Sequence, residues 1–387
     1  MNPNVKLIIG ADIVPVKSNT ELFNRADSKA LIGDALYDKL NEADFRIFNL
    51  ETPLTDELSP IQKSGPVLQA PECTIEGIKA LNPSLLVLSN NHILDHGSKG
   101  VENTIKILKS KNIPFMGIGK NSEERAKPYI LEKNNIKIGI YNCCEHEFSI
   151  AKEGNWGANS YDPLESFDAI AELKKNCDYV VVLYHGGKEF FRYPSPNLIK
   201  VFRKFAEKGA DVIIAQHTHC IGSYEDYAGS LLLYGQGNFL FDDDDKKYDK
   251  YLNTGLLVKL TCTKENMTYE YIPLIREKNH IRFANETEQK SILQSFYERS
   301  LNINNEEFIK AEYNKKASES LRGYLLNMHI GSKIDTIFLR IFLKLSKNFR
   351  EKYFKKITAH LLNTKNYISC ESHRELLEEG LQSLIKN

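Results

Sequence analysis

The stretch Ile213–Asp242, IIAQHTHCIGSYEDYAGSLLLYGQGNFLFD, decides how the chain is read. The run Val212-Ile213-Ile214 has the β-branched character of a buried strand. It ends at Ala215-Gln216, and His217 and His219 follow with only Thr218 between them. In extended chain, residues two apart point to one face, so both imidazoles are expected to aim at one point in space. A second apolar run, Leu231–Tyr234, leads into Gly235-Gln236-Gly237-Asn238, where glycine lets the backbone come close to whatever sits there. A strand that ends in His-x-His is a ligand pair in search of partners. Two histidines near a strand end are commonly structural, so the metal reading depends on what the other strand ends supply.

Working outward, Val5–Ile9, Arg46–Leu50, Leu85–Leu88, Ile136–Tyr141, Tyr179–Tyr184 and Val212–Ala215 read as strands, several of them apolar on both faces. Lys29–Asn41, Thr74–Leu81, Gly100–Lys111, Pro163–Lys175 and Leu198–Lys208 read as the helices between them. That alternation predicts an α/β sheet with helical layers outside. Ser230–Phe239, Gly255–Cys262 and Met267–Leu274 come without helices and read as antiparallel strands, so the sheet is mixed or there are two stacked sheets. Asp12, Asn49-Leu50-Glu51, Asn90-Asn91-His92, His185 and His217/His219 all fall at or just after strand ends. Ligands of α/β sheets bind outside the carboxyl ends of strands, so these groups are expected on one rim.

Asp12 and Glu51 supply carboxylates, Asn91 an amide oxygen, and His185 repeats the context of a strand ending in His before a glycine turn. Two divalent cations about 3.5–4 Å apart need a carboxylate able to bridge them. Imidazole, carboxylate and amide oxygen without a cysteine ligand suit Mn, Fe or Zn better than a closed structural zinc site.

The remaining composition bounds the partners. Lys+Arg and Asp+Glu are 51 each, a balance that argues against a dedicated nucleic-acid binder. Seven scattered cysteines with no C-x-x-C read as reduced thiols. No basic leader opens the chain, and no run approaches roughly 18 apolar residues, so a soluble, cytoplasmic protein is expected. From about residue 286 the strand signals stop, which predicts a sheet domain over 1–285 and a helical C-terminal extension over 286–387. Within the extension, Ile334, Ile337, Phe338, Ile341, Phe342 and Leu345 make an amphipathic stripe. Residues 333–356 carry eight Lys/Arg against two acids, a pattern that suits docking on the sheet domain or contact with an anionic membrane surface or a polymer synthase. Ser372 with Glu375 has the spacing of a capping box. Cys143 and Cys144, in Cys143-Cys144-Glu145-His146-Glu147, read as packing, His96 as a turn residue, Asp242–Asp245 as a solvated loop, and Trp156 as a loop residue over the site or in packing.

The order of the blocks resembles the CapA family of poly-γ-glutamate capsule biosynthesis proteins, which are similar to calcineurin-like metallophosphoesterases. The matching pieces are Gly10-Ala11-Asp12, Asn49-Leu50-Glu51-Thr52-Pro53-Leu54-Thr55, Ser89-Asn90-Asn91-His92-Ile93-Leu94-Asp95-His96-Gly97, His185-Gly186-Gly187-Lys188-Glu189, His217-Thr218-His219 and Tyr234-Gly235-Gln236-Gly237-Asn238-Phe239. The resemblance implies a metallophosphoesterase-like αββα sandwich of mixed sheets. It implies that Asp12 and His219 hold one metal, that Asn91, His185 and His217 hold the second, and that Glu51 bridges. It implies His92 as proton donor to a leaving oxygen, oriented by Asp95, with Lys188, Glu189 and Asn238 on the substrate side. Metal-assisted hydrolysis at phosphorus or a carbonyl would follow, on an anionic polymer or a phosphoester. The chain departs from the family at Ala11, at Gly186 (usually Trp), at Gln216, and at Val14, which stands where the usual Asp-x-His pair has its His and leaves the first metal short of a ligand. The rival expectation is a non-catalytic accessory protein that binds polymer or synthase on the same fold.

Overall fold

Four parallel strands come first: β1 (Val5–Val14), β2 (Phe45–Leu50), β3 (Leu85–Val87) and β4 (Phe115–Met116). After the short β5 (Ile118–Gly119), β6 (Tyr129–Lys133) and β7 (Ile136–Cys144) open a second sheet, and β8 (Gly157–Ala158) returns to pair with β5. The second sheet is completed by β9 (Tyr179–His185), β10 (Val212–Gln216), β11 (Tyr224–Tyr227) and β12 (Ser230–Leu233). The chain then rejoins the first sheet with β13 (Leu240–Phe241), β14 (Thr254–Cys262), β15 (Met267–Glu277) and β16 (His280–Phe283). The structure is a computed structural model; it describes residues 3–16, 18–63, 65–150, 154–241 and 249–327, and singly 341, 344, 351, 364 and 368.

The first sheet runs β16-β15-β14-β1-β2-β3-β4 with β13 beside the end of β1, and the second runs β11-β12-β10-β9-β7-β6. Both are mixed. The strands β14, β15 and β16 are antiparallel, as the missing helices between them implied. The Ser230 run differs: β12 folds back on β11 as a hairpin and so lies parallel to β10.

Period-two alternation explains the layers. On β1, Val5, Leu7 and Ile9 face a core shared with Ile138 and Ile140 of β7, Val181 and Leu183 of β9, and Val212 and Ile214 of β10. The opposite face of the first sheet packs Ile8, Phe48 and Leu86 against Val101 and Leu108 of the helix Gly97–Ser110 and Ile75 and Ile78 of the helix Ile75–Ala80. The outer face of the second sheet packs Val180, Val182 and Ile213 against Ile170 of the helix Ser166–Asn176 and Phe202 and Phe205 of the helix Pro196–Glu207. Helix, sheet, sheet, helix: this is the αββα sandwich, and strands buried on both faces account for the unbroken apolar runs. The expected helix Lys29–Asn41 is two, Ser28–Ile32 and Asp34–Asn41, separated by Gly33 at φ +74°.

A bulge in β1 aims the first site residue. Ile9 pairs with Ile47 and Asp12 with Asn49, so β1 spends one residue more than β2 over this interval. Before the bulge Ile8 faces the helices; after it Ala11 and Ile13 do, which turns Asp12 to the side of the second sheet. Gly10 is required there, since a Cβ would sit 2.5 Å from Cδ1 of Phe48, whose ring stacks on Phe239 at 5.1 Å. The bulge also frees backbone carbonyls. Gln216 Nε2 donates to Gly10 O at 3.1 Å and Gln236 Nε2 to Ile9 O at 2.7 Å, so two glutamines from the second sheet's rim lock it to the first.

By compactness the chain divides into Met1–Asn314 and Lys315–Asn387. The helix Glu286–Ser300 opens the C-terminal helical run with a capping box of Asn285 and Glu288 and places Phe296 in the core between the sheets. The helix Glu306–Asn327 follows. The stripe Ile334–Leu345, the basic span 333–356, the Ser372/Glu375 cap and the acidic loop Asp242–Asp245 lie outside the described residues, apart from Ile341, Lys344 and Glu351. No described helix is long and apolar enough to cross a membrane.

Candidate metal centre

The carboxyl ends of β1, β2, β9 and β10 converge on one buried cluster. Asp12, Glu51 and His219 form one group whose ligand atoms lie within 4.8 Å of one another, and Glu51, His185 and His217 form a second. Glu51 is common to both. His185 Nε2 sits 3.1 Å from Glu51 Oε1 and 3.0 Å from Asn91 Oδ1, so Asn91 joins the second group. The His185 and His217 rings are 4.9 Å apart, and those of His217 and His219 5.8 Å.

The His-x-His pair reaches this point by a different local geometry from the one expected. β10 ends at Gln216, and His217 (φ +81°) and His219 (φ +52°) both adopt left-handed backbone. A tight turn, not strand alternation, aims the two rings. Non-glycine residues held in this region cost on the order of 1 kcal/mol or more each, strain that tends to mark functional positions.

Asn90 shapes the next corner. Its Oδ1 accepts from the backbone N–H groups of His92 and Ile93, at 3.1 and 2.9 Å, and its Nδ2 donates to Asn49 Oδ1 and Leu50 O. This side-chain turn presents Asn91 and His92 to the rim. His92 Nδ1 is 2.6 Å from Asp95 Oδ2, which also accepts from Leu68 N–H at 2.6 Å. Asp95 Oδ1 takes Lys63 Nζ at 2.6 Å. With Nδ1 directed at Asp95, His92 keeps Nε2 for the site.

The electrostatics follow from burial. Glu51 is fully buried, and burial first and the Asp12 charge second push its pKa up to about 8. Burial lowers His217 far below the usual histidine range, with His185 and His219 adding to the effect, and it lowers His185 against the pull of Asp12. Burial also opposes protonation of His219, but Glu51 and Asp12 together outweigh it and raise its pKa.

Does this set fit divalent cations? Among the described residues, Asp12 Oδ2, both oxygens of Glu51 and Nδ1 of His217 are buried without a hydrogen-bond partner. Buried polar atoms are normally satisfied, and uncompensated buried carboxylates are costly. Cations at the two groups would satisfy these orphaned atoms at once. The donor set fits.

Of the expected substrate-side residues, Asn238 and Glu189 lie beside the His217/His219 pair. Asn238 Oδ1 lies 2.8 Å from His219 Nδ1 and so orients that ring. Glu189 Oε1 is 3.9 Å from His217 Nε2, whereas Lys188 is exposed. Val14 is buried beside Phe241, on the strand pairing of β1 with β13, and offers no ligand. The space beside Gly186 is taken by Glu145 and Tyr184, each with an atom 2.6 Å from where a Cβ would stand. Trp156 packs with Glu102 and Lys120. Cys143 and Cys144 are core residues, and His96 Nδ1 accepts from Ser59 N–H.

Two residues that contact the cluster were given no role of their own by the sequence. Asn49 Nδ2 donates to Asp12 Oδ1 at 2.7 Å and lies 3.2 Å from His185 Nδ1, tying the two metal groups together. Its place at a strand end beside Glu51 was the available signal. Lys63, whose side chain is 2% exposed, lies in an irregular loop with no local pattern to mark it.

The chain is similar to proteins named for capsule, PGA and polyglutamine synthesis. It is 30% identical over 212 residues to the capsule biosynthesis protein CapA of Bacillus anthracis, an alignment of 52% of this chain and 52% of that protein. It is 29% identical over 205 residues to the PGA biosynthesis protein CapA of Bacillus subtilis, covering 52% and 54%. A probable polyglutamine synthesis accessory protein of Mycobacterium tuberculosis is 24% identical over 225 residues, covering 54% and 59%. The chain thus spans little more than half the length of the curated relatives it matches. The family model described as bacterial capsule synthesis protein PGA_cap matches residues 6–243, the segment that carries every residue of the cluster, and the chain belongs to that family.

Proposed function

We propose that this protein is a metal-dependent hydrolase that acts in the biosynthesis of a capsule or other surface polymer of the poly-γ-glutamate type. The observation that carries the reading is Glu51, a buried carboxylate whose two oxygens have no hydrogen-bond partner among the described residues and which is common to two groups of metal-type ligands. Asp12 and His219 would hold one ion, Asn91, His185 and His217 the other, with Glu51 between them. Divalent ions bound there would supply Lewis-acid polarisation of the scissile phosphoester or amide. The chain's own groups do the rest. Asn49 and Asn238 orient Asp12, His185 and His219. His92, held through Nδ1 by Asp95, is placed to pass a proton from Nε2 to the leaving atom.

The relatives named for capsule, PGA and polyglutamine synthesis support the polymer setting. The test is a screen of metal-supplemented protein against phosphodiester and γ-glutamyl substrates, with His92→Asn as control. Hydrolysis that falls by at least about 100-fold in His92→Asn supports the reading. Turnover equal in both proteins would place the activity elsewhere, and no turnover of either class would leave the second reading. That reading is a non-catalytic polymer- or synthase-binding partner, favoured by the accessory role in the name of the Mycobacterium tuberculosis relative.

A further inference from the structure

A third group of metal-type ligands stands at the mouth of the cluster, sharing two of the six residues assigned to the two ions and adding one. Glu189, His217 and His219 each offer one ligand atom, and these lie within 4.8 Å of one another. Glu189 comes from the loop after β9 and is the most exposed member, with 40% of its side chain open. Its position is built, however. The backbone N–H of Phe190 donates to Thr218 O at 2.9 Å, and Arg192 Nε donates to Ile221 O at 2.9 Å. The Phe190 ring lies against that of His219, centroids 5.9 Å apart. Phe190 itself is held at φ +56°, as are His217 and His219 at positive φ, so three strained residues meet where the two loops are pinned. The pins fall just after Glu189 and turn its carboxylate toward His217 Nε2, at 3.9 Å, too long for a hydrogen bond and of a length that an ion between them would fill. His217 is 6% exposed, and its Nδ1 has no partner among the described residues.

We infer that Glu189 is a metal ligand: its carboxylate coordinates the ion that His217 holds and closes the solvent side of the centre. The inference rests on the metal-centre reading above and adds a ligand from a different loop. It assigns Glu189 to the ion and not to substrate.

Cobalt(II) is the probe. Wild type, Glu189→Gln and Lys188→Gln are titrated with Co²⁺ while the visible d–d absorption and the binding isotherm are followed, and circular dichroism confirms that each variant is folded. Exchange of the carboxylate ligand for a neutral, weaker-binding amide is expected to change the position and intensity of the d–d band and to weaken Co²⁺ binding by about tenfold or more. Lys188→Gln, which alters the exposed neighbour, is expected to match wild type. An unchanged isotherm and band in Glu189→Gln would overturn the inference while leaving the metal centre intact. So would weaker binding with an unchanged band, which would make Glu189 an orienting group and not a ligand. Wild-type protein that binds no Co²⁺ would defeat the metal-centre reading and this inference with it.

Discussion

Two buried polar clusters share one rim and differ in how their needs are met. Around Asp95 every polar demand is answered within the chain: both carboxylate oxygens accept hydrogen bonds, from Lys63, His92 and the Leu68 backbone, and the charge is paired with Lys63. Around Glu51 the demands are left open: among the described residues, both its oxygens, Asp12 Oδ2 and His217 Nδ1 have no hydrogen-bond partner. A satisfied cluster holds its own shape. An unsatisfied one of this composition is a place for cations. The contrast suggests a division of roles: Asp95 and Lys63 contact and orient His92, whereas Asp12, Glu51 and the three histidines are the groups that could hold ions.

The largest effect that would break the comparison is on metal uptake. His217→Ala/His219→Ala removes an imidazole from each ligand group and is expected to lower divalent-metal affinity by more than about 100-fold, read by isothermal titration. Lys63→Met should leave metal stoichiometry as in wild type, because its strong contact is with Asp95 and it reaches the ligand residues only through the Asn91 backbone carbonyl, at 3.4 Å. It should instead lower unfolding stability by about 3 kcal/mol, measured by chemical denaturation, since Asp95 is left buried and charged without its ion partner. If Lys63→Met lost metal and kept stability, the division of roles would be wrong.

Gly10→Ala tests the bulge that supplies Asp12. A methyl against Phe48 is expected to cost about 1–3 kcal/mol in the same assay. The smallest effect is a proton. The raised pKa of Glu51 means that the metal-free folded chain holds a proton there that the unfolded chain gives up near the ordinary glutamate pKa. The Glu51 contribution to metal-free stability is therefore fully present below about pH 4.5 and is lost as pH rises toward about 8. Metal uptake at pH 7 should release this proton, measured with an indicator dye in weak buffer, and Glu51→Gln should not show that release.

Much of this molecule is legible in its sequence because its strands are buried on both faces and end in ligand-type residues. Val5–Ile9, Tyr179–Tyr184 and Val212–Ala215 announce themselves as apolar runs, and Asp12, His185 and His217 punctuate them. What stays hidden depends on tertiary geometry. The bulge at Gly10 changes which face Asp12 takes, and no periodicity in the sequence foretells it. The left-handed turn at His217 and His219 overrides the strand geometry that the His-x-His spacing suggests. Lys63 is found only through its contacts, since a lysine in an irregular loop looks like a solvated one until its side chain is seen against Asp95. Gln216, a departure from the family pattern, serves a carbonyl freed by the bulge, which the sequence does not foretell.

The central claim is that the open cluster is a two-metal centre built around Glu51. The most direct test is elemental analysis of the purified protein after exposure to Mn, Fe or Zn and removal of excess ions, with Glu51→Gln beside wild type. The account predicts about two equivalents per chain in wild type and loss of at least one in Glu51→Gln, whose amide cannot bridge two cations as a carboxylate does. Wild-type protein that retains none of these metals under any loading condition would contradict it.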